Sequence, residues 1–546
     1  MPSGTFRPWP PGWAWPSMQT ERIPLVVGVT GHRAIRPEDE PILSQAVETE
    51  LKKLRERFPH TPLVLLSSLA EGADQLCARA ALKLGIPLWA PLPLPLEDYE
   101  TDFSGQALDD FRALCAQAEQ IFPVPTAEAA PAMPDRDFFY RQVGIYIATH
   151  CHVLLALWDG HEPTPTGCGT AETVSFALHR SFHPVLSAPL FSSTAVIHLF
   201  TPRDEPVTEA AGTVTRLGDD ETWRTLMDRT EEFNALTGKA DPSPYPLLPD
   251  DRERDLMLDR MEKVYQRADA LSLQYAKVYR RVLILLAVVS TLITASFLLY
   301  DEANLHWLIL VCGLALLIAW LLQRYAGRSS CHRRYLEYRV LAESLRAQAF
   351  LRYAGVSREA VTLLPWSQQE ETPWIAMAMT VLGIGEGPRQ THDVRTCWAE
   401  DQLRYHQAAQ KNAKAKLRGS GRVVGAALTV SIALYLAALV FELLFGGLLS
   451  RFPAILEAES CRTLLKLVLG SISAATLFIS NYYGKLSLSR GIEDHAKMAA
   501  FYERILDRMA LCGQVESLLV LLAREELIEN GNWCSYQRDN VPDFSL

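Results

Sequence analysis

Residues 24–33 read PLVVGVTGHR. A short, uninterrupted run of apolar, mostly β-branched residues that stops at a Gly-polar turn marks a strand buried on both faces. The pattern recurs at 62–68 (PLVLLSS), 86–92, 119–124, 152–158 (HVLLALW) and 195–200. Polar stretches with helical character separate these runs, at 37–57, after Glu71-Gly72-Ala73-Asp74, near 137–149, and after the Gly167–Glu172 stretch GCGTAE. Buried strands alternating with helices over residues 22–205 predict an α/β Rossmann-like domain with a parallel sheet covered on both faces.

Open parallel sheets bind ligands at the carboxyl ends of their strands. Three turns there carry glycine beside polar groups, which points to a nucleotide. The candidate ligand-binding residues are Gly31, His32 and Arg33 after the first strand; Ser67, Glu71, Gly72, Ala73 and Asp74 after the second; and Asp159, Gly160, Gly167, Cys168, Gly169, Thr170 and Glu172 around the fifth. Gly31 and Gly169 are expected to let the backbone approach the ligand and leave N–H groups free. A helix N-terminus favours phosphate, Arg33 offers it a forked donor, and Asp159 is placed to accept from a ribose hydroxyl. Trp158, beside Asp159, is expected to stack a base or to pack the core.

The rest of the chain has a different character. Of its 546 residues, 49% are apolar and 21% charged, so the two populations must be segregated. Residues 282–300, 307–323, 423–445 and 465–484 form apolar stretches long enough to cross a bilayer, which takes about 20 residues. The first two and 423–441 carry no charge, and Glu442 follows. Lys277, Arg280 and Arg281 precede the first span, and Arg324, Arg328, Arg333 and Arg334 follow the second. Lys411, Lys414, Lys416, Arg418 and Arg422 precede the third, and Lys485, Arg490 and Lys497 follow the fourth. By the positive-inside rule, the chain is expected to be a multi-pass protein of the inner (plasma) membrane with both termini cytoplasmic. The two hairpins read as copies: Arg281-Val282 leads to Val289-Ser290 as Arg422-Val423 leads to Val430-Ser431. Ser431, Tyr435 and Glu442 share one face of the third span, and Ser473, Thr476 and Ser480 one face of the fourth, making them pore-lining candidates in an oligomer.

A net charge of −10 argues against nucleic acid as a partner. Ten cysteines without a CxxC pair, and no His/Cys cluster at ligand spacing, predict reduced thiols and no metal site. His150, His152 and His161 are read as structural or solvent-exposed. The expected organisation is a Pro/Trp-rich flexible arm (1–21), rather than a signal peptide; the nucleotide-binding domain (22–205); a connecting segment (206–251); a stalk helix, first hairpin and following helix (252–355); a middle cytoplasmic segment (356–415); and a second hairpin with C-terminal helices (416–546). The stretch 373–384 is apolar but too short to span.

The motifs GVTGHR (28–33), SSLAEGADQL (67–76) and ALWDG with GCGTAE (156–172) resemble the SLOG superfamily. That Rossmann-like fold is shared by LOG cytokinin-activating hydrolases, the DNA-processing protein DprA and ligand-sensing regions of melastatin-type TRP channels. The two-span units, each followed by a charged amphipathic helix (335–346 and 494–506), resemble SLATT domains found beside SLOG domains in bacterial conflict systems. The resemblance implies a sensor of a nucleotide, ADP-ribose-like or cyclic-nucleotide messenger driving an oligomeric membrane effector in phage defence, with no required cofactor.

LOG hydrolases carry GGxGTxxE, whose last residue is catalytic. Here that position holds Thr173, and Glu172 falls one residue early, a rotation of about 100° on a helix. Binding without turnover is therefore expected. The alternatives are a membrane-tethered N-glycosidic hydrolase using Glu172 and Arg33, and a transporter or scaffold with a regulatory SLOG domain.

Overall fold

The computed structural model describes residues 21–125, 134–163, 169–179, 194–203, 209–302, 306–391, 393–445, 468–470, 472, 488–511 and 515–539. The chain divides into two compact units, each assembled from separate segments.

The first unit comprises the N-terminal part to Ala270 with Val340–Thr391 and Leu519–Gly531. Its centre is a seven-stranded sheet ordered β4-β3-β2-β1-β5-β6-β7. The strands are β1 (Leu25–Gly31), β2 (Leu63–Leu66), β3 (Leu88–Leu92), β4 (Gln120–Pro123), β5 (Val153–Trp158), β6 (Ala195–Phe200) and β7 (Val214–Leu217). The first six pair in parallel, and β7 closes the edge antiparallel to β6. The expected Rossmann-like α/β sheet is present. It also runs past residue 205: β7 and a helix lie inside the stretch read as a connector. β7 is exposed or half-buried throughout, so it carries no apolar run to betray it.

The helices over this sheet are α1 (Glu40–Arg57), α2 (Ala73–Lys83), α3 (Leu96–Tyr99), α4 (Gly105–Cys115), α5 (Arg136–Thr149), α6 (Thr170–His179) and α7 (Asp220–Thr237). Alternate residues of β1 point to opposite faces. Leu25, Val27 and Val29 join a core with Leu43, Val47 and Leu51 of α1 and Leu76 and Cys77 of α2. On the other face, a Cβ on Gly28 would lie 2.9 Å from Ile147 of α5 and 2.7 Å from the Cys151 sulfur. Both faces are therefore covered, as the continuous apolar strands require.

Further helices are α8 (Leu256–Glu302), α9 (Leu308–Ser329), α10 (Cys331–Ala354), α11 (Trp366–Glu371), α12 (Pro373–Leu382), α13 (Asp401–Phe445), α14 (Leu488–Leu511) and α15 (Val515–Asp539). α12, the apolar stretch too short to span, is a core helix of the first unit. Its Trp374 and Met379 are buried, and Trp374 sits 6.3 Å from Phe233 of α7.

The second unit holds Leu271–Arg339, His392–Leu518 and Asn532–Leu546. In its first hairpin, Val282, Leu286 and Val289 pack on Ala315 and Ala319. Small residues four apart let two apolar helices approach closely. The outer faces stay bare: Leu285, Val288, Leu310, Leu314 and Trp320 are all about half exposed or more. So large an apolar surface marks a face made for lipid. Among the described residues, three helical stretches are long and apolar enough to cross a membrane, within α8, α9–α10 and α13. They coincide with the first three expected spans. The fourth, 465–484, falls almost entirely outside the described residues.

Candidate functional site

In the strand order, the direction of winding reverses between β1 and β5. A sheet that winds both ways opens a crevice at that point, at the carboxyl ends of the strands. A cavity of about 510 Å³ lies there, lined from the first unit alone. Gly31, His32, Arg33, Asp74, Asp159, Gly169, Thr170 and Glu172 all line it. Three turns well separated in sequence thus reach one cavity. Ser67, Glu71, Gly72, Ala73 and Gly160 do not line it, and Gly167 and Cys168 lie outside the described residues.

The glycines serve packing more than ligand approach. A Cβ on Gly31 would stand 2.3 Å from the Ala73 Cβ and 3.0 Å from Leu157. Gly31 therefore seats the N-terminus of α2 against β1 and β5. Gly72 has φ +85°, and a Cβ there would meet the Arg33 carbonyl oxygen at 2.1 Å. The Ala73 N–H donates to the His32 carbonyl at 3.0 Å, locking the two turns together. An added Cβ on Gly169, by contrast, meets nothing within 4 Å among the described residues.

Asp74 forms the buried end of the cavity. Its carboxylate accepts from the Ser67 hydroxyl at 3.1 Å and the Ser68 hydroxyl at 2.8 Å. Burial raises its pKa to about 6, against the opposing pull of those hydroxyls, the Ala70 backbone and Arg33. A carboxyl with a raised folded-state pKa stabilises the fold fully below its unfolded value of 3.8. That contribution is lost as pH rises through about 6, and amounts to about 3 kcal/mol. Asp74→Asn is therefore expected to gain about 2–3 kcal/mol relative to the wild type between pH 4 and pH 7.5. Thermal unfolding of both proteins at the two pH values checks this, and a pH-independent difference would sink it.

His32 is buried, which lowers its pKa below the ordinary value. Its Nε2 accepts from the Asp159 backbone N–H at 3.1 Å, which fixes the neutral ring with its proton on Nδ1. The 3.4 Å approach of Nε2 to the Asp159 carboxylate is then not a charged pair. Burial would raise Asp159, but the His161 backbone N–H and the His161 ring hold its carboxyl below the usual range. Asp159 thus stands ionised at the cavity wall, an acceptor for a hydroxyl pair.

At α6, the Arg141 Nε–H donates a bifurcated hydrogen bond to both Glu172 carboxylate oxygens, at 3.0 and 3.2 Å. Thr173, which fills the place of the LOG-type glutamate, is buried and packed on α5: a Cβ on Gly144 would lie 2.5 Å from its hydroxyl.

The cavity also contains residues absent from the expected set: Ser68, Tyr99 and Arg203. Arg203 follows β6, and its charge contributes to lowering His32. Tyr140 lines the wall with Arg33 stacked over its ring at 5.2 Å. Tyr140 and Arg136 both bond Asp102, and Arg136 with Asp102 braces the rim from behind. Trp158 lines the cavity and leans on His198, with ring centroids 5.3 Å apart. Leu69, at φ +58°, holds a left-handed conformation in the loop that carries Ser67 and Ser68. Local backbone strain of this kind gathers at ligand sites. A serine, a tyrosine and an arginine in strand-end loops carry no pattern of their own, so their convergence emerges only from the fold.

The histidines have separate roles. His152 accepts the Val26 N–H inside the sheet, and burial depresses its pKa to about 3. His150 is buried, contacts Glu359 at 3.1 Å and stacks on Tyr146. His161 is exposed beside Asp159. Among the described residues, no group of three or more His, Cys, Asp or Glu is placed to hold a metal ion.

Of the pore-lining candidates, Ser431 is half-buried and Tyr435 is exposed on α13. Glu442 belongs to α13, but its side chain lies outside the described residues, as do Ser473, Thr476 and Ser480.

No curated protein matches the chain. A family model described as "Protein of unknown function (DUF4231)" matches residues 262–356, the stretch that holds the first membrane hairpin and the helix after it.

Proposed function

We propose that the protein is a membrane-anchored sensor-effector whose α/β domain, of SLOG type, binds a nucleotide or nucleotide-derived messenger. The observation that carries this reading is the convergence of three glycine-bearing turns on one cavity at the switch point of the sheet. Arg33 and Arg203 supply donors for phosphate. Asp159 accepts from a ribose hydroxyl, and Tyr140 and Trp158 offer faces to a base. Ligand binding shifts the arrangement of the spans in an oligomer and opens or disrupts the inner membrane, from a cytoplasmic sensor, in defence against phage. Such a shift requires that the ligand bind one arrangement better than the other.

The N-glycosidic hydrolase is the second reading. Against it stands the engagement of Glu172 by Arg141, which occupies the carboxylate that the reaction needs.

The test is a binding screen on the purified, detergent-solubilised chain. ADP-ribose, cyclic ADP-ribose variants, cyclic di- and trinucleotides and NAD are added while thermal unfolding and released base are followed. A ligand at a hundredfold excess over its Kd adds about 2.7 kcal/mol. Arg33→Ala removes a charge-assisted hydrogen bond of about 1.5–3 kcal/mol, so affinity is expected to fall about 10- to 100-fold with folding intact. Base release by the wild type promotes the hydrolase. Absence of any stabilisation across the panel overturns the sensor reading for these ligands.

A further inference from the structure

The helix α13 enters the third apolar span from a strongly basic side. Residues 405–422 contain no Asp or Glu, yet carry Lys411, Lys414, Lys416, Arg418 and Arg422. All five are exposed, and none makes an ion pair or hydrogen bond with a described residue. Three cations of the first hairpin's flanks are engaged instead. Arg333 pairs with Glu337 at 3.0 Å, Arg334 donates to the Tyr275 hydroxyl at 3.0 Å, and Arg324 lies over the Trp320 ring.

The positions of these cations are ordered. At about 100° per residue, Lys411, Lys414, Arg418 and Arg422 fall within an arc of about 80°. The buried and half-buried residues of α13, among them Gln402, His406, Ala413, Ser420 and Ala427, fall on the opposite side. That opposite side packs on α14, where His406 meets His495 at 3.0 Å. Gln407, one turn before Lys411 on the cationic side, donates to Glu503 of α14 at 3.2 Å; from Lys411 to Arg422 the stripe makes no hydrogen bond or ion pair with a described neighbour. Beyond Arg422 the same face continues as Thr429, Leu436 and Val440, with Leu436 and Val440 about half exposed.

We infer that this face is a binding surface for an anionic phospholipid. Its acyl chains lie along Thr429, Leu436 and Val440, and its phosphate lies at Arg418 and Arg422. The depths agree. Arg422 and Arg418 stand about 1.5 and 7.5 Å above the apolar run that starts at Val423. The headgroup layer is about 5–7 Å thick on each side. Lys414 and Lys411 reach about 13 and 18 Å, within one to two screening lengths of a charged surface. Each cation near such a surface raises affinity roughly fivefold. The inference does not depend on the nucleotide reading.

The experiment titrates the purified full-length chain in detergent with phosphatidylglycerol or phosphatidylcholine. Bound lipid is counted by native mass spectrometry, and stabilisation is read from thermal unfolding. The wild type is expected to prefer phosphatidylglycerol, with the preference shrinking at 0.5 M salt, where the screening length falls to about 4 Å from about 10 Å at 0.1 M. Arg418→Gln/Arg422→Gln is expected to lower the preference about 20-fold. Arg504→Gln/Arg508→Gln, which removes two exposed cations of α14, is expected to leave it unchanged. Equal binding of the two lipids by the wild type overturns the inference. So does a preference that survives in the first variant, or one lost equally in the second. Should Arg418→Gln/Arg422→Gln fail to fold, Lys411→Gln/Lys414→Gln decides by the same readings.

Discussion

Gly72→Ala is expected to destabilise the first unit by about 3 kcal/mol and to displace the cavity wall at His32 and Arg33 with it. Two separate costs add. At φ +85° an alanine Cβ sits in a left-handed conformation, which costs roughly 1–2 kcal/mol. The new methyl would also stand 2.1 Å from the Arg33 carbonyl oxygen and 2.6 Å from that of His32, both backbone atoms with no rotamer to move. Overpacking of this kind adds roughly 1–3 kcal/mol. Relief requires the turn after β1 to shift, and Arg33 and His32 shift with it. Gly160→Ala is the matched control: its φ is +83°, yet nothing lies within 4 Å of the added Cβ. It is expected to pay the backbone cost alone. Thermal unfolding of the two variants under one set of conditions isolates the crowding. Equal losses would mean that the contact between the two turns is not tight.

The same residue shows where sequence reading succeeds and where it stops. Continuous apolar runs announced β1, β2, β3, β5 and β6, because a strand buried on both faces leaves a mark in composition. The glycine turns announced the cavity, since three of them fall at strand ends. Gly31 and Gly72 are also small where the start of α2 meets β1 and the turn after it, a tertiary constraint that no local pattern encodes. β7 was invisible for a related reason. As an edge strand on the solvent side, Val214–Leu217 needs no apolar run. Arg203 and Tyr99 reach the cavity only because β6 and the loop after β3 end beside it. The three described spans were legible from length and apolarity alone, because a bilayer imposes both.

Arg346→Leu is expected to cost about 3–5 kcal/mol, measured by thermal unfolding of the detergent-solubilised chain. Arg346, on α10, is almost fully buried, as are Glu343 one turn before it and Glu526 on α15. Its guanidinium bonds Glu343, lies 3.6 Å from Glu526, and stands 5.7 Å over the Tyr265 ring of α8. One cation thus serves two buried carboxylates from chain segments 180 residues or more apart in sequence. Leucine replaces the stem but leaves both carboxylates in a low-dielectric interior without the Arg346 charge, and that desolvation is the cost. The triple change Glu343→Gln/Arg346→Leu/Glu526→Gln removes all three charges together. It is expected to recover most of the loss, because a buried ion network contributes little beyond the attraction that offsets its own desolvation. A triple variant no more stable than the single would place the contribution of Arg346 in its stacking on Tyr265 and its packing rather than in charge. Either way the measurement reports on α15, since Glu526 is the acidic group through which Leu519–Gly531 meets this network in the first unit.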